Sequence, residues 1–330
     1  MSSRNRKLSL SSAINEALHQ MMAEDESVFL IGQGVKSPWY VGSTCQGLLE
    51  RFGPERVIDT PVSENAVTGS AVGAAIAGMR PVVVHPRMDF MMYAMDPIIN
   101  EAANWHYMCG GHCSVPVVIW GIVNRGGEQA AQHSQAFQAL FAHIPGLKVI
   151  MPSTPYDVKG LMIAAIRDEN PVIFIDDRWL YEQEGYVPEE IYEVPIGKGI
   201  IRKKGADMTL VSSSYMTVES LKAATNLAKQ GIDVELVDLR TIKPLDENLI
   251  LKSVKKTGRM VIADGGWKNF GVSAEISALV SEKVFKYLRA SIKRVSLPDT
   301  PAPASRTLES SYYQRSEDIT RAVKEVIKEN

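Results

Sequence analysis

Three stretches of this 330-residue chain place chemically capable side chains where a fold could use them. In residues 57–90, VIDTPVSENAVTGSAVGAAIAGMRPVVVHPRMDF, a short apolar run ends in Asp59-Thr60-Pro61, which stops a strand. Ser63 and Glu64 then open a small-residue helix with glycines at 69, 73 and 78, and the run Val82-Val83-Val84 follows at once. Strand, turn, helix and strand in so short a span make a crossover unit of a parallel sheet. Ligands of such sheets sit beyond the carboxyl ends of the strands, which is where Glu64 falls. A carboxylate there can do proton work; it can equally face water as a helix-starting charge favoured by the macrodipole. In NRGGEQAAQHSQ (124–135) a polar, glycine-bearing loop carries His133 near its end, the composition of a site loop. In Cys109-Gly-Gly-His112-Cys113 two thiols and an imidazole crowd together, which invites a metal but leaves a tetrahedral site incomplete.

The elements that must hold these groups alternate between apolar runs and helical spacing. Residues 9–24 read as an amphipathic helix that Ser9, Ser11 or Ser12 caps, with Ile14, Ala17, Leu18, Met21 and Met22 on one face. Val28–Ile31 is a short buried strand ending in Gly32-Gln33-Gly34, and residues 91–108 have helical spacing with Pro97 near a start. Val115–Val123, Leu147–Met151 and Val172–Ile175 are continuous apolar runs suited to strands covered on both faces, and 156–168 is the helix between the last two. After a polar stretch with Pro188, Pro195 and three glycines the alternation restarts. Strands are expected at 208–211, 234–239, 260–263 and 292–295, with helices at 217–230, 246–256, after Gly271, and at 316–329. The fold class is therefore α/β, as two open doubly wound sheet domains over 1–185 and 206–330, joined by a linker at 186–205.

Composition narrows the function. A net charge of −2 without a basic stripe gives no nucleic-acid surface. Three cysteines, Cys45, Cys109 and Cys113, are too few for a disulfide framework in so long a chain. The N-terminus MSSRNRKLSL lacks the apolar core of a signal peptide, and no stretch approaches a membrane span. A cytoplasmic protein is expected, or one of an organelle matrix if the source is eukaryotic.

Six strings, in one order and at one spacing, carry a resemblance: RVIDTPVSE (56–64), DF (89–90), AAQHSQAF…AHIPGLKVIMPSTPYDVKGLM (130–162), AIRDENPVIF (165–174), VDLRTIKPLD (237–246) and DGGWKNFG (264–271). Over nearly its whole length the chain resembles the β subunit of the thiamine diphosphate-dependent 2-oxo-acid dehydrogenases of the pyruvate, branched-chain and acetoin types. The resemblance implies a pyrimidine-binding domain followed by a transketolase-like C-terminal domain. It also implies a cofactor acting through a carbanion at its thiazolium ring, which the protein must generate and shelter. It assigns Glu64 as the catalytic acid that hydrogen-bonds the aminopyrimidine, and a carboxylate desolvated against an apolar ring holds a proton more readily than one in water. It assigns Phe90 to stacking on the pyrimidine, with Asp89 beside it among the cofactor-binding residues. It assigns His133 to the substrate carboxylate or oxygen, work that suits an imidazole because it exchanges its proton near neutral pH. His143 matches as well, with a structural role equally open. Val117, Ala165, Asp168 and Asn170 match a monovalent-cation site, possible K+, that orders the histidine-bearing loop.

No GDG…NN pattern for magnesium and the diphosphate is present. The resemblance gives that task, and the Mg2+, to an α subunit in an α2β2 heterotetramer, so the β chain alone is expected to be inactive. The expected reaction is decarboxylation of a small 2-oxo acid with acyl transfer to a lipoyl domain of an acyltransferase core. Departures keep two other readings open. Gln33-Gly34 stands where an acidic pair is usual, Trp120 where an arginine commonly follows the strand, His85-Pro86-Arg87-Met88 in place of a more apolar or acidic stretch, and Tyr93 where glutamine is frequent. A split transketolase or carboligase would deliver a two-carbon unit to a sugar or aldehyde instead. A non-catalytic scaffold would need neither Glu64 nor His133.

Overall fold

A computed structural model describes residues 6–329. They form two units. One runs to Arg125 and resumes over Leu140–Ile196; the other comprises Gly126–Ala139 and the chain from Gly197.

The first unit is built on six parallel strands: β1 (Val28–Gly32), β2 (Val57–Asp59), β3 (Arg80–His85), β4 (Val118–Val123), β5 (Lys148–Ile150) and β6 (Val172–Asp177). Their order is β5-β6-β4-β3-β1-β2. The chain leaves β1 towards β2 on one side, then returns through α2 (Glu64–Ile76) to β3 on the other. The carboxyl ends of β1 and β3 thus flank a topological switch point, where doubly wound sheets open a crevice. Strands β1, β4 and β6 are buried along their whole length, as their apolar runs require. Gly32 ends β1 at φ +157°, and a Cβ there would lie 2.4 Å from the Val84 carbonyl oxygen; only glycine lets β1 and β3 pair up to the switch point.

The helices obey local rules. In α1 (Leu10–Glu24) the Ser9 hydroxyl caps by accepting from the Ser12 N–H, and Ile14, Ala17, Leu18, Met21 and Met22 are buried, as the spacing predicts. The helix α3 (Pro155–Arg167) packs on α1 and sends the fully buried Lys159 ammonium to Glu16 at 2.7 Å and to the carbonyls of Pro188 and Glu190. In α2 the buried face is Thr68, Ala71, Val72 and Ala75, the i, i+3, i+4, i+7 stripe of a helix laid on a sheet. The expected single helix over 91–108 is three pieces: a tight 3-10 turn at Met88–Ala94, a wide turn at Asp96–Ala102, and an α-helix at Ala103–Met108. Pro97 is the reason, because it cannot donate backward and its ring crowds the preceding turn. A further antiparallel pair joins Lys7–Ser9 to Glu184–Tyr186.

The second unit has five strands, β7 (Ile200–Lys203), β8 (Met208–Ser212), β9 (Val234–Asp238), β10 (Met260–Trp267) and β11 (Lys293–Leu297), in the order β11-β10-β8-β9-β7. Only β7 runs antiparallel, on the edge beside β9. Helices α4 (Ser214–Ala228), α5 (Glu247–Thr257), α6 (Val272–Val284) and α7 (Ser316–Lys328) cover it. Among the described residues no helix is long and apolar enough to cross a membrane.

Candidate active site

Glu64 is the first residue of α2, and Ser63 before it makes no capping hydrogen bond through its side chain. The turn that delivers Glu64 is held from β1: the Gly34 N–H, at φ +70°, donates to Asp59 Oδ1 at 2.7 Å, and the Thr60 N–H donates to the Gly32 carbonyl at 3.1 Å. Glu64 therefore opens on the switch-point crevice, which it lines with Gln33, Thr60, His85, Arg87 and Phe90. The crevice is a shallow one, open to solvent. Glu64 and Phe90 are both half-buried in this wall. The Thr60 hydroxyl is buried with no protein partner. In the wall itself, His85 is 3% exposed with Nε2 3.2 Å from Thr68 Oγ1, and burial pulls its pKa down to about 4, so the imidazole is neutral at pH 7.

Asp89, expected beside the cofactor, is 5% exposed and is not among the crevice's lining residues. Of the departures, Gln33, His85, Pro86 and Arg87 line the crevice. Tyr93 points outward, 71% exposed. Trp120 does not follow the strand; it is the third residue of β4, fully buried, edge-on to Phe174 and donating from Nε1 to Asp176 Oδ1 at 2.9 Å. Burial raises the Asp176 carboxyl to about 6 against the pull of that bond.

His133 lies in the segment Gly126–Ala139, which belongs to the second unit. Glu128 and Ala130 in this segment have left-handed backbone conformations, at φ +62° and +60°. Its anchors sit in the DGGWKNFG stretch and in the helix Arg306–Tyr312. Gln138 Nε2 donates to Asp264 Oδ1 at 3.0 Å, the Phe137 ring lies 6.0 Å from that of Trp267, and the Glu128 N–H donates to Glu309. Asp264 also accepts from the Gly266 and Ser273 N–H groups. Asp264 and Gln138 thus position the histidine loop, a role that a motif 126 residues away does not announce. His143 is exposed at the end of the short helix Gln138–His143.

Of the four residues matched to a cation site, Ala165, Asp168 and Asn170 are linked by hydrogen bonds where α3 ends, and Val117 stands just before β4. The Asp168 N–H donates to the Ala165 carbonyl, Val172 N–H to the Val117 carbonyl, and Asn170 N–H to Asp168 Oδ1 at 2.9 Å. The Lys148 ammonium already sits on Asp168 Oδ2.

Two doubly wound α/β units with a switch-point crevice in the first are the transketolase architecture, and comparisons agree. Residues 6–183 match the transketolase pyrimidine-binding domain, and residues 197–319 match the transketolase C-terminal domain. A solved split-gene transketolase, described as an inactive β4 tetramer, superposes with a TM-score of 0.80 over 97% of this chain and 98% of that one. At 22% identity it speaks for the fold alone. The β subunit of the acetoin:2,6-dichlorophenolindophenol oxidoreductase of Cupriavidus necator is 45% identical, over 98% of each chain. The pyruvate dehydrogenase E1 component subunit beta of Rickettsia felis is 44% identical, over 97% of this chain and 98% of its own. The chain belongs to the family of β subunits of the thiamine diphosphate-dependent 2-oxo-acid dehydrogenases.

Proposed function

We propose that this chain supplies the pyrimidine-side half of a thiamine diphosphate site in a decarboxylating 2-oxo-acid dehydrogenase. The observation that supports it most is the switch-point crevice, where Glu64 and the Phe90 ring share one wall. The lining fits a flat heteroaromatic ring: an aromatic face to stack on, a carboxylate to pair with ring nitrogens, and the unpartnered Thr60 hydroxyl. When bound, the cofactor supplies the electron sink that lets a 2-oxo acid lose carbon dioxide. Glu64 holds a proton against the pyrimidine and exchanges it with the ring nitrogen. Phe90 fixes the plane of the ring and keeps water from that face. His133, held by its anchored loop, meets the substrate's carboxylate or oxygen and carries protons as the acyl group passes to a lipoyl domain.

The diphosphate and Mg2+ fall to an α subunit with the GDG…NN pattern, giving an α2β2 assembly. The names of the relatives, which are β subunits, support that division. A monovalent cation on Val117, Ala165, Asp168 and Asn170 would share Asp168 with Lys148; unchanged activity when potassium is exchanged for tetramethylammonium excludes it. The test of the whole reading is a panel of 2-oxo acids given to the complex with its co-expressed α subunit, with and without a lipoyl acceptor. Carbon dioxide release that needs both chains and thiamine diphosphate is expected. Release only with a sugar or aldehyde acceptor would move the protein to the carboligases.

A further inference from the structure

Arg87 is the wall residue that this function leaves without a task. It stands two residues beyond β3, lines the crevice with Glu64 and Phe90, and is half-buried. Its Nη1 donates to the Pro86 carbonyl at 2.8 Å. Nε is buried without a partner, and among the described residues the guanidinium makes no ion pair. The edge formed by Nε and Nη2 is therefore unused. Burial, and after it the neighbouring Arg178, disfavours the charge, while Asp89, Tyr181 and Tyr40 favour it. Arg178 adds positive charge without competing for an anion through its terminal nitrogens, which donate to the carbonyls of Trp39 and Tyr40. Two guanidinium groups close together, one with an open fork on a crevice, are costly until an anion completes them.

The Nε–Nη2 edge offers two parallel N–H groups, the match for one carboxylate. That carboxylate is not the one next to the 2-oxo group. The latter leaves as carbon dioxide, and a strong bond to it would hold the ground state back. We infer that Arg87 binds a second carboxylate of the substrate, remote from the reacting carbon, so that the complex prefers dicarboxylic 2-oxo acids. The inference rests on the proposed function, which places the cofactor's pyrimidine ring at the Glu64 side of the same crevice and so brings the substrate to its mouth.

A remote carboxylate keeps its charge throughout the reaction, so the contact is uniform binding and belongs in KM rather than kcat. The test compares 2-oxoglutarate with 2-oxovalerate, a five-carbon analogue that lacks the second carboxylate, on the α-containing complex. Wild type is expected to favour 2-oxoglutarate. Arg87→Met should raise the KM for 2-oxoglutarate by about 100-fold, the loss of two charge-assisted hydrogen bonds. It should leave kcat and both 2-oxovalerate constants within a few-fold, and Arg87→Lys should recover part of the loss. A wild type that prefers 2-oxovalerate, or a variant that damages both substrates alike, overturns the inference. Calorimetry with glutarate, a diacid that cannot react, separates this from failure of the proposed function. If no 2-oxo acid is decarboxylated, glutarate binding that Arg87→Met abolishes still upholds the site, and absence of glutarate binding removes it.

Discussion

Replacing Asp176 by Asn should change how stability depends on pH by an amount the structure sets. Asp176 is 1% exposed, and burial raises its carboxyl from 3.8 to about 6. A raised carboxyl binds its proton more readily folded than unfolded, so it contributes stability at low pH that is lost as pH rises from about 4 to about 6. The shift corresponds to about 3 kcal/mol. His85 works in the opposite sense over nearly the same window. Its imidazole is lowered from 6.5 to about 4, so its contribution is present above pH 6.5 and is lost as pH falls towards 4, again by about 3 kcal/mol. In the wild type the two nearly cancel, whereas Asp176→Asn leaves His85 unopposed. Urea unfolding of the purified chain between pH 4.5 and 8 measures the effect. The stability of the variant relative to wild type should rise from pH 4.5 to about 6, then stay level. An unsatisfied amide proton on the new side chain shifts the whole curve without altering its shape. A difference independent of pH would refute the reasoning, and so would one that falls as pH rises.

Two further outcomes follow from the packing. Gly32→Ala sets a Cβ 2.4 Å from the Val84 carbonyl oxygen at the switch point; a loss of roughly 3 kcal/mol is expected, read as a fall in melting temperature of several degrees. An unchanged melting temperature would mean that β1 and β3 part more easily than their register implies. Asp264→Ala removes the acceptor of Gln138 and of two N–H groups behind the histidine loop. Amide hydrogen exchange over 126–139 should accelerate at least about tenfold, the exchange equivalent of one lost hydrogen bond. Unaltered exchange there would leave the loop to its other anchors.

Much of this architecture is legible in the chain because strands buried on both faces announce themselves as apolar runs. Val28–Gly32 and Val172–Asp177 lie within a residue or two of where the runs place them. The strand β7 is the counter-example: Ile200–Lys203 is half-buried throughout, pairs on one edge only, and reads as linker. The pairing of Lys7–Ser9 with Glu184–Tyr186 has no local signal, since its partners are remote in sequence. The crevice half of the site was readable for the same reason as the strands. Glu64 and Phe90 flank one crossover unit, so their common position follows from topology. What holds His133 does not, because Gln138 meets Asp264 only through the tertiary fold. Arg87 divides the two cases: its type is visible in the sequence, but the open edge of its guanidinium exists only in the folded wall.

The most direct test of the account is Glu64→Gln in the complex with its α subunit. Glutamine keeps the size and polarity of Glu64 at the start of α2 but cannot exchange a proton. Carbon dioxide release from the preferred 2-oxo acid should fall by on the order of a thousandfold or more, within the range for removal of a general acid-base group. Size-exclusion chromatography should show the same assembly. Near-normal turnover by an intact Glu64→Gln complex would contradict the central claim that this carboxylate serves the pyrimidine side of the cofactor.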